Sequence, residues 1–230
     1  MSDAARHERL VEELARSLAP IRRLPAPGWR ALVWASAVLA LGLLLLPLSD
    51  STGLQARLGV PDLRYAALGA ILTSVAAAFA AFQSSVPGRS RAWALLPIPP
   101  LVLWIGVSGL GCLRTWLAPA SNLAETGEMR GCFVFLIGVS LPLSVLLVVM
   151  LRRACPLNPS VTAALGGLAV AAAAAALLVP FHPHDTTATD LAVHLMAVLI
   201  VVALNGLLGG RILEGATGRR SAATAVDADP

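Results

Sequence analysis

Six long apolar runs dominate the sequence, and each is long enough to cross a bilayer. A hydrocarbon core about 30 Å thick takes roughly 20 apolar residues in a helix. The runs cover 31–48, 63–86, 92–111, 132–151, 161–180 and 191–213, and none has an acidic or basic residue near its middle. One buried helix of a soluble protein can read this way. Six of them in 230 residues would leave no polar surface for water. Composition agrees: 57% of the residues are hydrophobic and 13% are charged, against about a quarter charged in an ordinary soluble domain. Disorder is excluded by the same balance. The expected fold is therefore all-α: a polytopic membrane protein with six transmembrane helices over 29–214, an N-terminal segment over 1–28 and a short disordered polar tail over 215–230. The first run follows a leading segment of about 30 residues with no A-x-A site after it. It is expected to persist as a helix rather than to be a cleaved signal.

Arginine placement sets the orientation. All seventeen basic residues are Arg, and thirteen fall on one side once the runs are made to alternate: Arg6, Arg9, Arg16, Arg22, Arg23 and Arg30, then Arg89 and Arg91, Arg152 and Arg153, and Arg211, Arg219 and Arg220. Only Arg57, Arg64, Arg114 and Arg130 fall on the other. Short loops rich in Arg stay in the cytoplasm, so both termini are expected there (N-in/C-in). The net charge of +4 is then a topology signal and not a nucleic-acid footprint. Small residues in the second, fifth and sixth runs, including Gly206-x-x-x-Gly210, suit close helix packing, although Ala is abundant throughout the chain. Pro142 is expected to kink the fourth run, and Pro97, Pro99 and Pro100 to disturb the third.

The N-terminal segment is amphipathic. Leu10, Val11, Leu14, Leu18 and Ile21 recur at helical spacing, with Arg6, Glu8, Arg9, Glu12, Glu13 and Arg16 on other faces. This predicts a helix of about four turns, with Asp3 as a cap and Pro20 as its end. Its stripe needs a partner: the bilayer surface, the bundle or another protein. A polar face of mixed sign disfavours the bilayer, and a helix laid into a groove is a common recognition mode.

Chemistry-bearing residues gather on the outer side. Cys112 ends the third run and Cys132 begins the fourth, so a disulfide between them is geometrically admissible, whereas Cys155 belongs to the cytoplasmic side. Each cysteine also reads as a packing residue. The last outer loop carries Phe181-His182-Pro183-His184-Asp185. Two His and an Asp, with Cys132 as thiolate, are a candidate metal-ligand set, and His-Pro-His is equally good turn chemistry. His194 lies just inside the sixth run. No membrane carboxylate is expected for proton coupling. There is no Walker motif, nucleophile elbow, H-E-x-x-H, Rossmann fingerprint or Cys-x-x-Cys, so an enzyme is not expected.

Three segments carry a resemblance: Pro20-Ile-Arg22-Arg23-Leu-Pro25-Ala-Pro27-Gly-Trp29-Arg30, Pro87-Gly-Arg89-Ser-Arg91-Ala-Trp93-Ala-Leu-Leu-Pro97, and Pro183-His184-Asp185 followed by His194. In this order, with six short-looped helices, they resemble the NrsF-like negative regulators of extracytoplasmic-function sigma factors over roughly residues 7–214. The resemblance implies a bacterial inner-membrane anti-sigma factor that sequesters its sigma factor and releases it on an envelope metal or oxidative signal. It implies no obligatory cofactor and no direct contact with nucleic acid, a transient metal ion being the candidate signal; oligomeric state stays open. The family's Cys in the fourth helix matches Cys132. Its usual His-Cys-Pro-His-Asp departs here, because His182 stands where the second Cys would be. A disulfide at the family's pair is thereby put in doubt, a thiolate–imidazole metal site survives, and Cys112 offers another disulfide partner. The expected sigma-factor-binding residues are Leu10, Val11, Leu14, Leu18 and Ile21, with Arg22 and Arg23 steering at the membrane edge. The expected sensing residues are Cys132, His182, His184, Asp185 and Cys112, with Cys132, His182 and His184 as metal ligands. The alternatives are a small transporter or channel subunit, or a scaffold of a larger membrane complex.

Overall fold

The computed structural model describes residues 3–16, 23–49, 54–55, 58–117, 126–154, 156–181 and 188–215, and all regular structure among them is helical. Helix α1 is Asp3–Arg16. The helices that follow are α2 (Pro27–Leu45), continued by a 3-10 turn at Leu46–Leu48, and α3 (Pro61–Ser84). A 3-10 stretch at Arg91–Leu95 leads into α4 (Ile98–Leu117), and α5 is Thr126–Leu151. Helix α6 (Pro159–Leu178) ends in a 3-10 turn at Val179–Phe181, and α7 (Ala188–Leu204) continues through a π-helical turn at Asn205–Gly209. Six helical segments are long and apolar enough to span a membrane: Pro27–Leu48, Pro61–Ser84, Arg91–Leu117, Met129–Leu151, Pro159–Phe181 and Ala188–Gly215.

Proline explains where several helices begin. Pro27, Pro61 and Pro159 each stand in a first turn, where a missing N–H costs nothing and the fixed φ favours the helix. The third run is disturbed at Pro97, Pro99 and Pro100 as expected: it opens as a 3-10 stretch at Arg91–Leu95, and regular α-helix starts only at Ile98. The same logic places these prolines. They lie at the start of α4, after the 3-10 stretch, and α4 runs six residues beyond the expected end at 111. Helix α5 passes through Pro142 as one element. Asp3 is the first residue of α1 rather than a cap before it. The expected end of that helix at Pro20 and the tail beyond Gly215 lie outside the described residues.

Cross-helix contacts sort the helix ends onto two faces. On the first, the start of α2 meets the ends of α3 and α5 through Arg30, Ser85 and Met150. Trp93 packs edge-on against Phe79, and Gly210 lies against Ser160. On the second, the start of α3 meets the end of α4 through Asp62 and Arg114, 2.7 Å apart. There too the start of α5 packs with the end of α6 and the start of α7, through Cys132, Leu178 and Ala197. Six alternating passes follow, and the chain enters and leaves the bundle on the first face.

The centre of the bundle is α3 against α6. Half of each of these spans is buried, against 6% for the span containing α4 and 11% for that of α2. The alanines explain this. Ala77, Ala78, Ala80 and Ala81 of α3 and Ala171, Ala172, Ala173 and Ala174 of α6 are all buried. In lipid, where apolar side chains gain nothing from leaving water, helices associate where small residues let backbones approach. Two glycines illustrate how close the backbones come. A Cβ on Gly69 would lie 2.9 Å from the backbone of Trp104 on α4, and one on Gly167 would lie 3.0 Å from the Val202 Cα on α7. Gly206 and Gly210 pack against the first turns of α6, at Ala164 and Ser160.

Candidate functional site

The apolar stripe of α1 lies exposed on the helix surface. Leu10, Val11 and Leu14 are 53%, 54% and 58% exposed, and α1 buries none of its residues. Bundle and partner were equally open as cover for this stripe; among the described residues the bundle does not cover it. Arg16 and Glu12 form an ion pair at 2.8 Å on another face of α1. Arg23 is exposed, and Leu18, Ile21 and Arg22 lie outside the described residues.

Ten residues separate the end of α1 from the start of α2, and three residues into α2 stands Arg30, which the sequence shows as a topology charge and as the last residue of the first resemblance segment. Arg30 is 5% exposed. Its guanidinium donates to the Ser85 hydroxyl at 3.2 Å and to the Met150 carbonyl, and sits 4.7 Å from the centre of the Phe82 ring. Ser85 is the residue that caps α3, and its own hydroxyl donates to the Phe82 carbonyl at 2.7 Å. One planar cation therefore ties the start of α2 to the C-terminal ends of α3 and α5, where helix dipoles present negative charge. The first resemblance segment contains Arg30 but does not announce these partners. The one available signal was an Arg placed just inside an apolar run after a Pro-Gly-Trp start.

On the opposite face, Cys132 is buried beside Leu136, Ala174, Leu178 and Ala197, and the rings of Phe135 and Phe181 stack at 5.3 Å. Phe181 immediately precedes His182, so the chain enters the last loop within one turn of the cysteine's neighbours. His182, His184 and Asp185 lie outside the described residues, as does Cys155. Cys112, half-buried on α4, and Cys132 both carry thiols. Among the described residues no group of three His, Cys, Asp or Glu is placed to hold a metal ion.

The expectation of no membrane carboxylate needs correction. Helix α7 begins at Ala188 and not at 191, which brings Asp190 into the span, where it is 3% exposed. His194, one turn on, places Nδ1 2.9 Å from the Asp190 carbonyl and 3.3 Å from its carboxylate. The Asp-x-x-x-His spacing was readable, since i and i+4 share a helix face. It falls across the boundary of an apolar run that starts at 191, three residues after the helix begins. A second polar pair sits deeper, where the Asn205 amide donates to the Ser144 hydroxyl and to the Val201 carbonyl, both at 2.9 Å. This bond lies at the π-helical turn, a widening of the helix that often marks functional positions.

Helix α5 joins the two faces. Cys132 stands near its start and Met150 near its end, roughly 27 Å apart along the axis at 1.5 Å per residue.

The family described as NrsF, "Negative regulator of sigma F", matches residues 14–214 of this chain. No curated protein and no solved structure matches it.

Proposed function

The chain belongs to the NrsF family of negative regulators of sigma F, and from that membership we propose that it is an anti-sigma factor acting from the bacterial inner membrane on a sigma factor of the extracytoplasmic-function class. The protein is multi-pass, and its first face carries Arg30, Arg89, Arg91, Arg152, Arg153 and Arg211, against Arg64, Arg114 and Arg130 on the second. Short Arg-rich loops favour the cytoplasm, which supports a reading with both termini and α1 on the side where RNA polymerase works. The observation that carries the reading is the exposed stripe of Leu10, Val11 and Leu14 on a helix the bundle leaves uncovered. Leu18 and Ile21 extend that stripe in sequence, and Arg22 and Arg23 supply charge at the membrane edge.

Release is proposed to begin outside, at Cys132 with His182, His184 and Asp185, with Cys112 as an alternative thiol partner. Metal ligation or oxidation there would shift α5 against α6 and α7, and through Arg30 loosen the root of α1. An effector moves such an equilibrium only by its differential affinity for the two states. Taking it from mostly bound to mostly free needs about 5.5 kcal/mol. A thiolate-containing metal site supplies energy on that scale, which a single surface imidazole does not.

The test is capture by the full-length chain in detergent, with bound proteins identified by mass spectrometry. A small sigma factor is expected to be retained by the wild-type chain and lost from Leu14→Asp, with membrane insertion unchanged. No sigma factor on the wild-type chain, or equal capture by Leu14→Asp, would sink the docking role of α1.

A further inference from the structure

A cavity of about 220 Å³ lies in the half of the bundle nearer the second face, enclosed by α3, α4, α6 and α7. Ala66, Ala67 and Ala70 of α3, with Leu63, and Trp104 of α4 are among the residues that line it. The indole offers a π face against which another ring packs favourably, and the short alanines leave room beside it. A cavity of about 150 Å³ holds benzene, so this one has room for a single substituted ring. Ile105 and Leu195 line it as well, and both are about half exposed on the bundle surface. The mouth therefore opens between α4 and α7 toward the lipid, and an occupant enters from the bilayer.

One end of this apolar space is polar. Asp190 and His194 both line it. They hold each other through His194 Nδ1, 2.9 Å from the Asp190 carbonyl and 3.3 Å from the carboxylate. Ionisable residues inside a membrane span face cavities or partners and mark ligand paths more often than plain packing. The carboxylate disfavours an anionic head group, such as a fatty acid or a phospholipid phosphate. A cationic head would have to compete with His194 for that carboxylate. A ring hydroxyl both donates and accepts, so it can join the pair without adding charge.

The geometry points to a binding site for an uncharged hydroxyaromatic molecule in this cavity, its ring against Trp104 and its hydroxyl on Asp190 and His194. Binding there stands on the cavity alone. Its use as a signal rests on the sigma-regulating reading: the ligand would press on the first turns of α7, next to the loop of His182 and His184.

The experiment uses the full-length chain in lipid nanodiscs and fluorine NMR of three probes of one shape: 4-fluorophenol, fluorobenzene and 4-fluorobenzoate, with empty nanodiscs as the partition blank. Saturable binding of 4-fluorophenol is expected, at least tenfold tighter than either other probe. It is expected to disappear in Ala67→Phe, which fills the space, and in Leu195→Trp, which blocks the mouth from an exposed position and so spares the fold. In His194→Phe the preference for the hydroxyl should vanish. Competition separates two sources of this chemistry: a prenylated quinol that displaces the probe better than p-cresol points to a membrane quinol, and the reverse order to a small phenol. Equal binding of fluorobenzene would reduce the site to an apolar gap, and no saturable binding would mean lipid fills it. Either result overturns the inference. All of these readouts are independent of sigma-factor capture, so the two readings fail separately.

Discussion

Arg30 is the residue whose loss should be felt most widely. Replacing it with Ala removes the donor to the Met150 carbonyl and one donor to Ser85, and empties the space over Phe82. An unmet buried acceptor costs about 1–3 kcal/mol, and the cation–π contact adds about 1. Ser85 is spared part of the penalty because its hydroxyl keeps the Phe82 carbonyl. Against the loss stands the desolvation that a buried guanidinium no longer incurs. The net is about 2 kcal/mol for Arg30→Ala and about 1 for Arg30→Met, which keeps the packing of the stem. Arg30→Lys should lose least, since it retains the charge but not the planar fork that reaches two helix ends. Thermal unfolding of the purified chain in detergent checks the order Ala, Met, Lys, and a fall in Tm of roughly 6 °C is expected for Ala. A reporter of sigma activity in cells should leak in the same order, because the root of α1 loosens while its stripe is intact. An Ala variant with wild-type Tm and full repression would refute the clamp. Wild-type repression with a lowered Tm would leave Arg30 as a fold residue with no part in presenting α1.

Other variants probe the rest of the structure. Gly69→Ala should push α3 from α4 and cost about 1–3 kcal/mol, whereas Gly59→Ala, with nothing within 4 Å of its Cβ, should be silent in the same unfolding assay. Asn205→Leu should cost about 0.5–1.5 kcal/mol, read by the same unfolding, because the Ser144 bond is lost and the Val201 carbonyl loses its side-chain donor. Cys132→Ser combined with His182→Ala should leave repression intact and deaf to added metal or oxidant; induction that persists in the double variant would place the sensor elsewhere.

Much of the architecture was legible because a bilayer leaves few choices. An apolar run of about 20 residues must satisfy its backbone within itself, so it is a helix. The six runs were found to within a few residues at most ends. The misses came at the edges, where apolarity says least. Helix α4 continues over Arg114 and Thr115 to Leu117, because snorkelling side chains are tolerated near a membrane face. Helix α7 starts early enough to bury Asp190, which a search for uncharged stretches excludes by construction. The amphipathic pattern of α1 was plain, since that helix lies outside the apolar runs and obeys the familiar contrast between apolar and charged faces. Whether its stripe would be self-covered was not legible, because covering depends on what the bundle offers at its surface.

Inside the bilayer the usual code inverts, and this is why the core of the bundle was harder to read than its outline. In water, the apolar side of a helix is the buried side. Here Leu43, Leu44, Val102 and Leu141 are as apolar as any residue in the chain and all are exposed to lipid, while Ala172, Gly167, Thr162 and Ser85 are buried. Hydrophobicity thus separates spans from loops but carries no information about which face of a span meets protein. That information lies in size and polarity. Small residues let α3 and α6 close on each other, and polar groups that lipid cannot satisfy turn inward, as Arg30, Asp190 and Asn205 do. The residues that hold this bundle together and those that could carry a signal through it are therefore drawn from the same small set. A substitution in that set tests fold and signalling at once unless, as with Leu14 in α1 and Leu195 at the cavity mouth, it is placed on the exposed side.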